Sequence, residues 1–278
     1  MLVAVLWILG ALAAFAGVFS GWLSSTAAGA AVREETLAAR GLATAAVELA
    51  ALRLVSEPRE RRPTHGALAF RMGRAEVTAT FRDEAARIDL NAAPGELLAG
   101  LFGALGASEQ AAREQAERIL AFRSPASGPA EAREADLYRQ SGLGYTPRGG
   151  AFVHVEEIWR VTGLPPALVA RALPHLTVFS GRAEVNVDEA DPVVQAAARA
   201  AAPTVEGGAP PPRLAVPAGD AQRIAVRIRF DSGRSQAAEA VILLRDFGDA
   251  PYRVLSWREG ADFALPPPSE APTRGGRP

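Results

Sequence analysis

Residues able to do acid–base or metal chemistry are few and dispersed in this chain. There are three histidines, His65, His154 and His175, and no cysteine. No His-x-x-x-His or His-Glu pairing gathers two of them as ligands on one helical face, and no thiol is present for nucleophilic or redox work. A Gly-x-Ser-x-Gly elbow and a phosphate-binding loop are both lacking. Glu156 and Glu157 fall in the first turn of an expected helix, where carboxylates complement the dipole; as chain neighbours they point in different directions and make no acid–base dyad. His154, beside Phe152 and Val155 at a helix start, reads as a capping or packing residue. Trp159 and Trp257 read as core or interface residues. The chemistry on offer is packing and recognition, and the expectation is a protein that is not an enzyme.

The dominant element lies elsewhere. From Met1 to Val32 there is no Asp, Glu, Lys, Arg or His. A helix rises about 1.5 Å per residue, so about 20 apolar residues cross the hydrocarbon core of a bilayer, and this stretch is long enough. Trp7 and Trp22 sit near the two ends of its most apolar part, where indoles favour the headgroup level. Gly10, Gly17 and Gly21 permit close approach of a neighbouring helix in the membrane. A cleaved secretory signal is the alternative, since Ala27–Ala31 offers small residues to a peptidase. The apolar part exceeds the usual signal core of about 7–15 residues and no basic region precedes it, so a retained helix is expected. Between Arg33 and Val55 there is no proline, and Leu37, Leu42, Ala45, Ala46, Leu49 and Leu52 recur at helical spacing against Glu34, Glu35, Arg40, Glu48 and Arg53. One helix should therefore run from near Met1 to about Val55, half in lipid and half packed through an apolar stripe on a globular head.

Every one of the 30 basic residues is Arg, and the net charge of -1 gives no general attraction to nucleic acid or anionic lipid. After a charged, proline-bounded break at 57–63, Ala67–Met72 and Ala75–Arg82 alternate with period two around a turn at Gly73, which predicts a β-hairpin. Arg87–Leu90 is a short extended piece. The period then becomes helical: one helix follows Asn91, with Leu97, Leu98, Leu101, Phe102 and Leu105 on its apolar face, and a second runs from Ser108, its cap, to Phe122. Ser124–Gly150 reads as a long loop, followed by short helices at Val155–Thr162 and Pro165–Leu173. Ile88–Ala93 and Val185–Ala190 echo each other as strands ending in an Asx residue. Beyond a Pro- and Gly-rich linker, Ile224, Val226, Ile228 and Phe230 alternate with arginines, and further strands are expected at Ala238–Phe247 and Tyr252–Trp257.

VLWILGALA, Phe81–Pro94 (FRDEAARIDLNAAP), Tyr145–Gly163 (YTPRGGAFVHVEEIWRVTG) and Leu176–Val187 (LTVFSGRAEVNV) together make the sequence resemble the K-type minor pseudopilins of the bacterial type II secretion system. The resemblance implies an α+β fold: a pilin-like N-terminal helix packed on an antiparallel sheet, with a large all-helical insertion between strands. The expected division is an apolar helix half at 1–32, its amphipathic extension at 33–56, strands at 57–90, the helical insertion at 91–180, a return strand and helix at 181–202, a linker at 203–213, antiparallel strands at 214–260 and a disordered tail at 261–278. It further implies a single-pass inner-membrane protein with a periplasmic head at the tip of a short pseudopilus, where it helps initiate assembly and the export of folded proteins. Implied partners are the I-type and J-type minor pseudopilins, other pseudopilins, and the prepilin peptidase where a basic leader lies upstream. Family members usually lack the Glu that most pilin-like subunits carry near the helix start, and no acidic residue occurs here before Glu34. Outward faces of the long helix at Leu37, Leu42, Leu49 and Leu52 are the expected contact with partner helices.

The resemblance also implies calcium, which takes several oxygen ligands. The stretch of suitable character holds Glu131, Glu134 and Asp136. An alternative of another class is a membrane-anchored DNA receptor of a competence system, because NAAPGELL and VEEIWRVTGLPPALVARAL resemble helix-hairpin-helix repeats. Such hairpins grip phosphates with backbone N–H groups of Gly-x-Gly; here the hairpin is Gly163-Leu164-Pro165, and Pro165 has no N–H to give. From Arg87 to Leu176 acidic residues slightly outnumber arginines, so no basic footprint supports phosphate binding.

Overall fold

The computed structural model describes residues 2–125, 129–202, 219–245 and 247–260. The expected linker at 203–213 and the expected tail at 261–278 lie outside them.

Helix α1 (Leu2–Val55) is continuous, about 80 Å long at 1.5 Å per residue. Its second half packs on a five-stranded antiparallel sheet in the order β1-β2-β5-β6-β7. These strands are β1 (His65–Met72), β2 (Ala75–Asp83), β5 (Ala221–Phe230), β6 (Ser235–Leu244) and β7 (Tyr252–Glu259). The tight β1–β2 connection requires a left-handed residue, and Gly73 supplies it at φ 57. The period-two pattern of the sequence sends Val77, Ala79 and Phe81 of β2 and Ile224, Val226, Ile228 and Phe230 of β5 onto the face that meets α1. From α1 that core takes Ala39, Leu42, Ala43, Ala46, Val47, Ala50, Ala51 and Leu54. The buried stripe is thus mostly alanine, which lets the helix axis come close to the sheet; of the stripe read from sequence, Leu42 and Ala46 belong to it, whereas Leu37, Leu49 and Leu52 are exposed.

Between β2 and β5 the chain builds a second core. It comprises β3 (Ile88–Asp89), α2 (Gly95–Ala104), α3 (Glu109–Arg123), α4 (Pro129–Gln140), α5 (Pro166–Ala172), β4 (Leu176–Thr177) and α6 (Pro192–Ala201). Strands β3 and β4 pair in parallel as a separate two-stranded ladder. Ser108 caps α3, its Oγ accepting from the Ala111 N–H at 3.3 Å. Leu98, Leu101 and Phe102 meet Ile119, Phe122 and Ile158 inside the block. The two cores share no residue.

Four expectations are corrected. The stretch 124–150 is not all loop, since α4 occupies 129–140. Its first turn carries Pro129, tolerated there because that N–H would be unpaired anyway, and its apolar anchor is the wholly buried Tyr138. Residues 185–187 form no strand; the Asn186 N–H makes one bond, to the Ala85 carbonyl, at 2.7 Å. Helix α6 belongs to the helical block through Val194 and Ala197, so that block extends past 180. Asn91 does not start α2, which begins at Gly95 after Pro94. Its amide clasps the backbone of Phe152 instead, donating to the carbonyl at 3.0 Å and accepting from the N–H at 2.7 Å.

Candidate functional site

The features able to act on another molecule begin with α1. Its segment Leu2–Ser20 is long and apolar enough to cross a membrane, and none of it is buried against the rest of the chain. Phe15, Phe19 and Trp22 form a ridge with ring centroids 6.4 and 6.2 Å apart. Farther along, Leu42 is 8% exposed and belongs to the head core, whereas Leu37 and Leu52 are 68% and 64% exposed and Leu49 is half exposed. Helical phase separates Leu42 from Leu37 and Leu52: at 100° per residue, position 42 lies about 140° from position 37, while positions 37 and 52 fall about 60° apart; Leu49, about 20° from position 42, is nonetheless 44% exposed. Leu42 is therefore withdrawn from the expected partner contact, and the other three remain on the surface.

The side chains of Glu131 and Glu134, two of the three residues expected to hold calcium, lie outside the described residues. All three positions lie on α4, not on a loop. The Asp136 carboxylate is already engaged by the Arg139 guanidinium. Among the described residues no group of three or more His, Asp or Glu could hold a metal ion.

Two of the three histidines are structural ties, whereas His154 is exposed and makes no side-chain cap bond at the helix start where a cap was expected. His65 Nδ1 lies 2.8 Å from Glu189, and His175 Nδ1 lies 2.7 Å from Asp191. Asp191 also caps α6, accepting from the Val193 and Val194 N–H groups at 2.8 and 3.1 Å. Burial pushes the Asp191 carboxyl up, but the bond from His175 and these backbone donors outweigh it and hold it below the usual range. Glu156 and Glu157 diverge as expected of chain neighbours: Glu157 meets Arg148 at 2.8 Å, Glu156 meets Arg258 at 2.6 Å. At the hairpin, Gly163 has φ 82, and the Arg118 guanidinium lies where a Cβ at this position would reach. Arg118 Nη1 donates to the Thr162 carbonyl at 3.4 Å.

The feature that sequence reasoning missed stands where the two cores meet. Glu84, in the turn after β2, is wholly buried and accepts from Arg223 on β5 at 2.5 and 3.1 Å and from the Thr177 hydroxyl on β4. Arg223 also donates to Glu239 on β6 at 2.5 Å, and Arg258 on β7 joins Glu239 at 2.5 Å to Glu156. Burial raises the Glu84 carboxyl, yet Arg223 overrides it, so the group stays ionised below the usual range; Arg223 is correspondingly held more firmly charged. Neighbouring Asp83, which accepts from the N–H groups of Ala85 at 2.9 Å and Gly219 at 2.5 Å, has no such cation in contact, and burial pushes its carboxyl up.

Residues 78–181 match the profile of a known family, type II secretion system (T2SS), protein K. Over that segment the chain is similar to protein K. The matched segment runs from mid β2 through β4 and so takes in the Glu84 turn and the helical block as far as Gly181. The fold is shared with the crystal structure of the GspK-GspI-GspJ complex from the type 2 secretion system of enterotoxigenic Escherichia coli. That match has a TM-score of 0.63 and 17% identity, and covers 85% of this chain and 99% of the other. The search of curated proteins returned no match. Beside that match the chain carries a long helix whose segment Leu2–Ser20 is apolar and unburied, and a sheet enlarged by a helical insertion.

Proposed function

We propose that this chain acts at the tip of the type II pseudopilus, where it helps initiate assembly and supports export of folded proteins from the periplasm across the outer membrane. The observation that carries the reading is the match of the helical insertion to protein K, joined to an α1 whose segment Leu2–Ser20 is apolar and unburied. The apolar half is stored in the inner membrane as a single pass, and the head stands in the periplasm.

I-type and J-type minor pseudopilins are the partners in this reading, supported by the shared fold with the GspK chain of a GspK-GspI-GspJ complex. Their long helices pack along α1 on the side that carries Leu37, Leu49 and Leu52, apolar side chains that the head itself leaves uncovered.

The test is a strain lacking the gene, scored in one culture for exoenzymes in the medium, exoenzymes in the periplasm and DNA uptake. Folded exoenzymes stranded in the periplasm with normal uptake are expected. Normal secretion with lost transformation would overturn the reading in favour of a DNA receptor.

A further inference from the structure

The helical block and the sheet do not share an apolar core, and the ties between them are polar and sit at three places across the sheet. In the middle, at β2 and β5, stands the buried Glu84–Arg223 pair. At the β1 edge, Glu189 of the block accepts from Thr64 at 2.8 Å and meets His65. At the β7 edge, Glu156 of the block meets Arg258. The central pair is shut away from water, with the Glu84 side chain 1% exposed, while Arg258 and Glu156 are 40% and 51% exposed.

From this arrangement we infer that the helical block is hinged on the sheet: Glu84–Arg223 is the pivot, and the polar contacts at the two sheet edges are releasable latches that set its tilt. The physical asymmetry is in solvation. A bidentate pair in a low-dielectric joint is not screened and cannot part without leaving a bare buried charge. An exposed pair is worth little net energy and is weakened by salt, since the Debye length shrinks from about 8 Å at 0.15 M to about 3 Å at 1 M. Thr177 ties the pivot to β4, so the block turns about a point inside its own ladder. The backbone continues straight from β2 into the Glu84–Ala86 turn, and the Asn186 N–H bond to Ala85 adds one more link at the same point. Nothing at the pivot has to break for the edges to lift. The chain would thereby present its insertion at more than one angle relative to α1.

The absence of native cysteine makes the test direct. Full-length protein in detergent micelles is spin-labelled at Thr78→Cys on the open face of the sheet and Glu114→Cys on α3, and the distance distribution is measured by pulsed electron resonance. The narrow distribution at low salt should broaden and shift at 1 M NaCl, and should already be broad at low salt in the Glu156→Gln/Glu189→Gln variant. A distribution indifferent to both treatments would overturn the hinge. If the variant melts early, the salt series on the unsubstituted latches decides alone: broadening with an unchanged circular dichroism spectrum supports the hinge, and a constant width overturns it.

Discussion

Gly100 of α2 lies directly on the backbone of α6: a Cβ built there would stand 2.5 Å from the carbonyl oxygen of Ala197. Main-chain atoms cannot swing aside as a side-chain tip can, so Gly100→Ala must push the two helices apart. The expected cost is about 1–3 kcal/mol, read from the urea midpoint. Gly103→Ala, three residues on with nothing within 4 Å of its added Cβ, is the control. It should be neutral or stabilising by up to about 1 kcal/mol through helix propensity. Equal effects of the two would mean that α2 and α6 do not cross so closely.

Glu84→Gln and Arg223→Met each leave an opposite charge buried without its main partner. Each single change should lower head stability by about 3–5 kcal/mol in chemical unfolding. The double variant should lose clearly less than the sum, because the residues act as one unit. Strict additivity would sink the claim that they do.

Much of the fold can be read from residue pattern, and the failures have physical causes. Helix α1 is visible because a charge-free stretch has few ways to exist in water, and the alternation of β2 and β5 shows which side of each strand is buried. The α1 stripe is only partly legible: helical spacing picks out Leu42 and Ala46 correctly, but it also selects exposed leucines and passes over the alanines that a helix seated closely on a sheet buries. Helix α4 was hidden by the Gly- and Pro-rich sequence around it. The Glu84–Arg223 joint had no local signal at all: the partners are 139 residues apart, and Arg223 alternates along β5 just as Arg227 and Arg229 do on the solvent side. Clasps of this kind, like that of Asn91 on Phe152, depend on tertiary placement alone.

Acid should weaken the head, with a sign that can be assigned group by group. The carboxyls of Asp191 and Glu84 are held below their ordinary values of 3.8 and 4.5. Their stabilisation is complete above those values and is lost as pH falls through the lower folded ones. Asp83 runs the other way: its folded value is raised above 3.8, so its contribution is greatest below that value and is lost as pH rises. Asp191→Asn keeps a competent α6 cap but removes the titrating charge. Urea midpoints of this variant between pH 7 and pH 3 should therefore fall less steeply on the acid side than those of the parent. Matching slopes would show that Asp191 contributes nothing to acid sensitivity.

Arginine substitutions along α1 separate head stability from assembly. Leu42→Arg puts a charge into the α1–sheet core, where Leu42 is among the buried residues. It should cost more than about 2 kcal/mol and lower the melting temperature of the head. Leu37→Arg and Leu52→Arg stand on the exposed side, and surface changes of this kind usually stay within about 0.5 kcal/mol. Their folding should be unaffected, while recovery of I-type and J-type partners by affinity purification from membranes should drop, because either arginine faces the groove where a neighbouring helix would lie. Full partner recovery with both exposed-site variants, in protein of unchanged melting temperature, would show that the outward leucines are not the assembly surface.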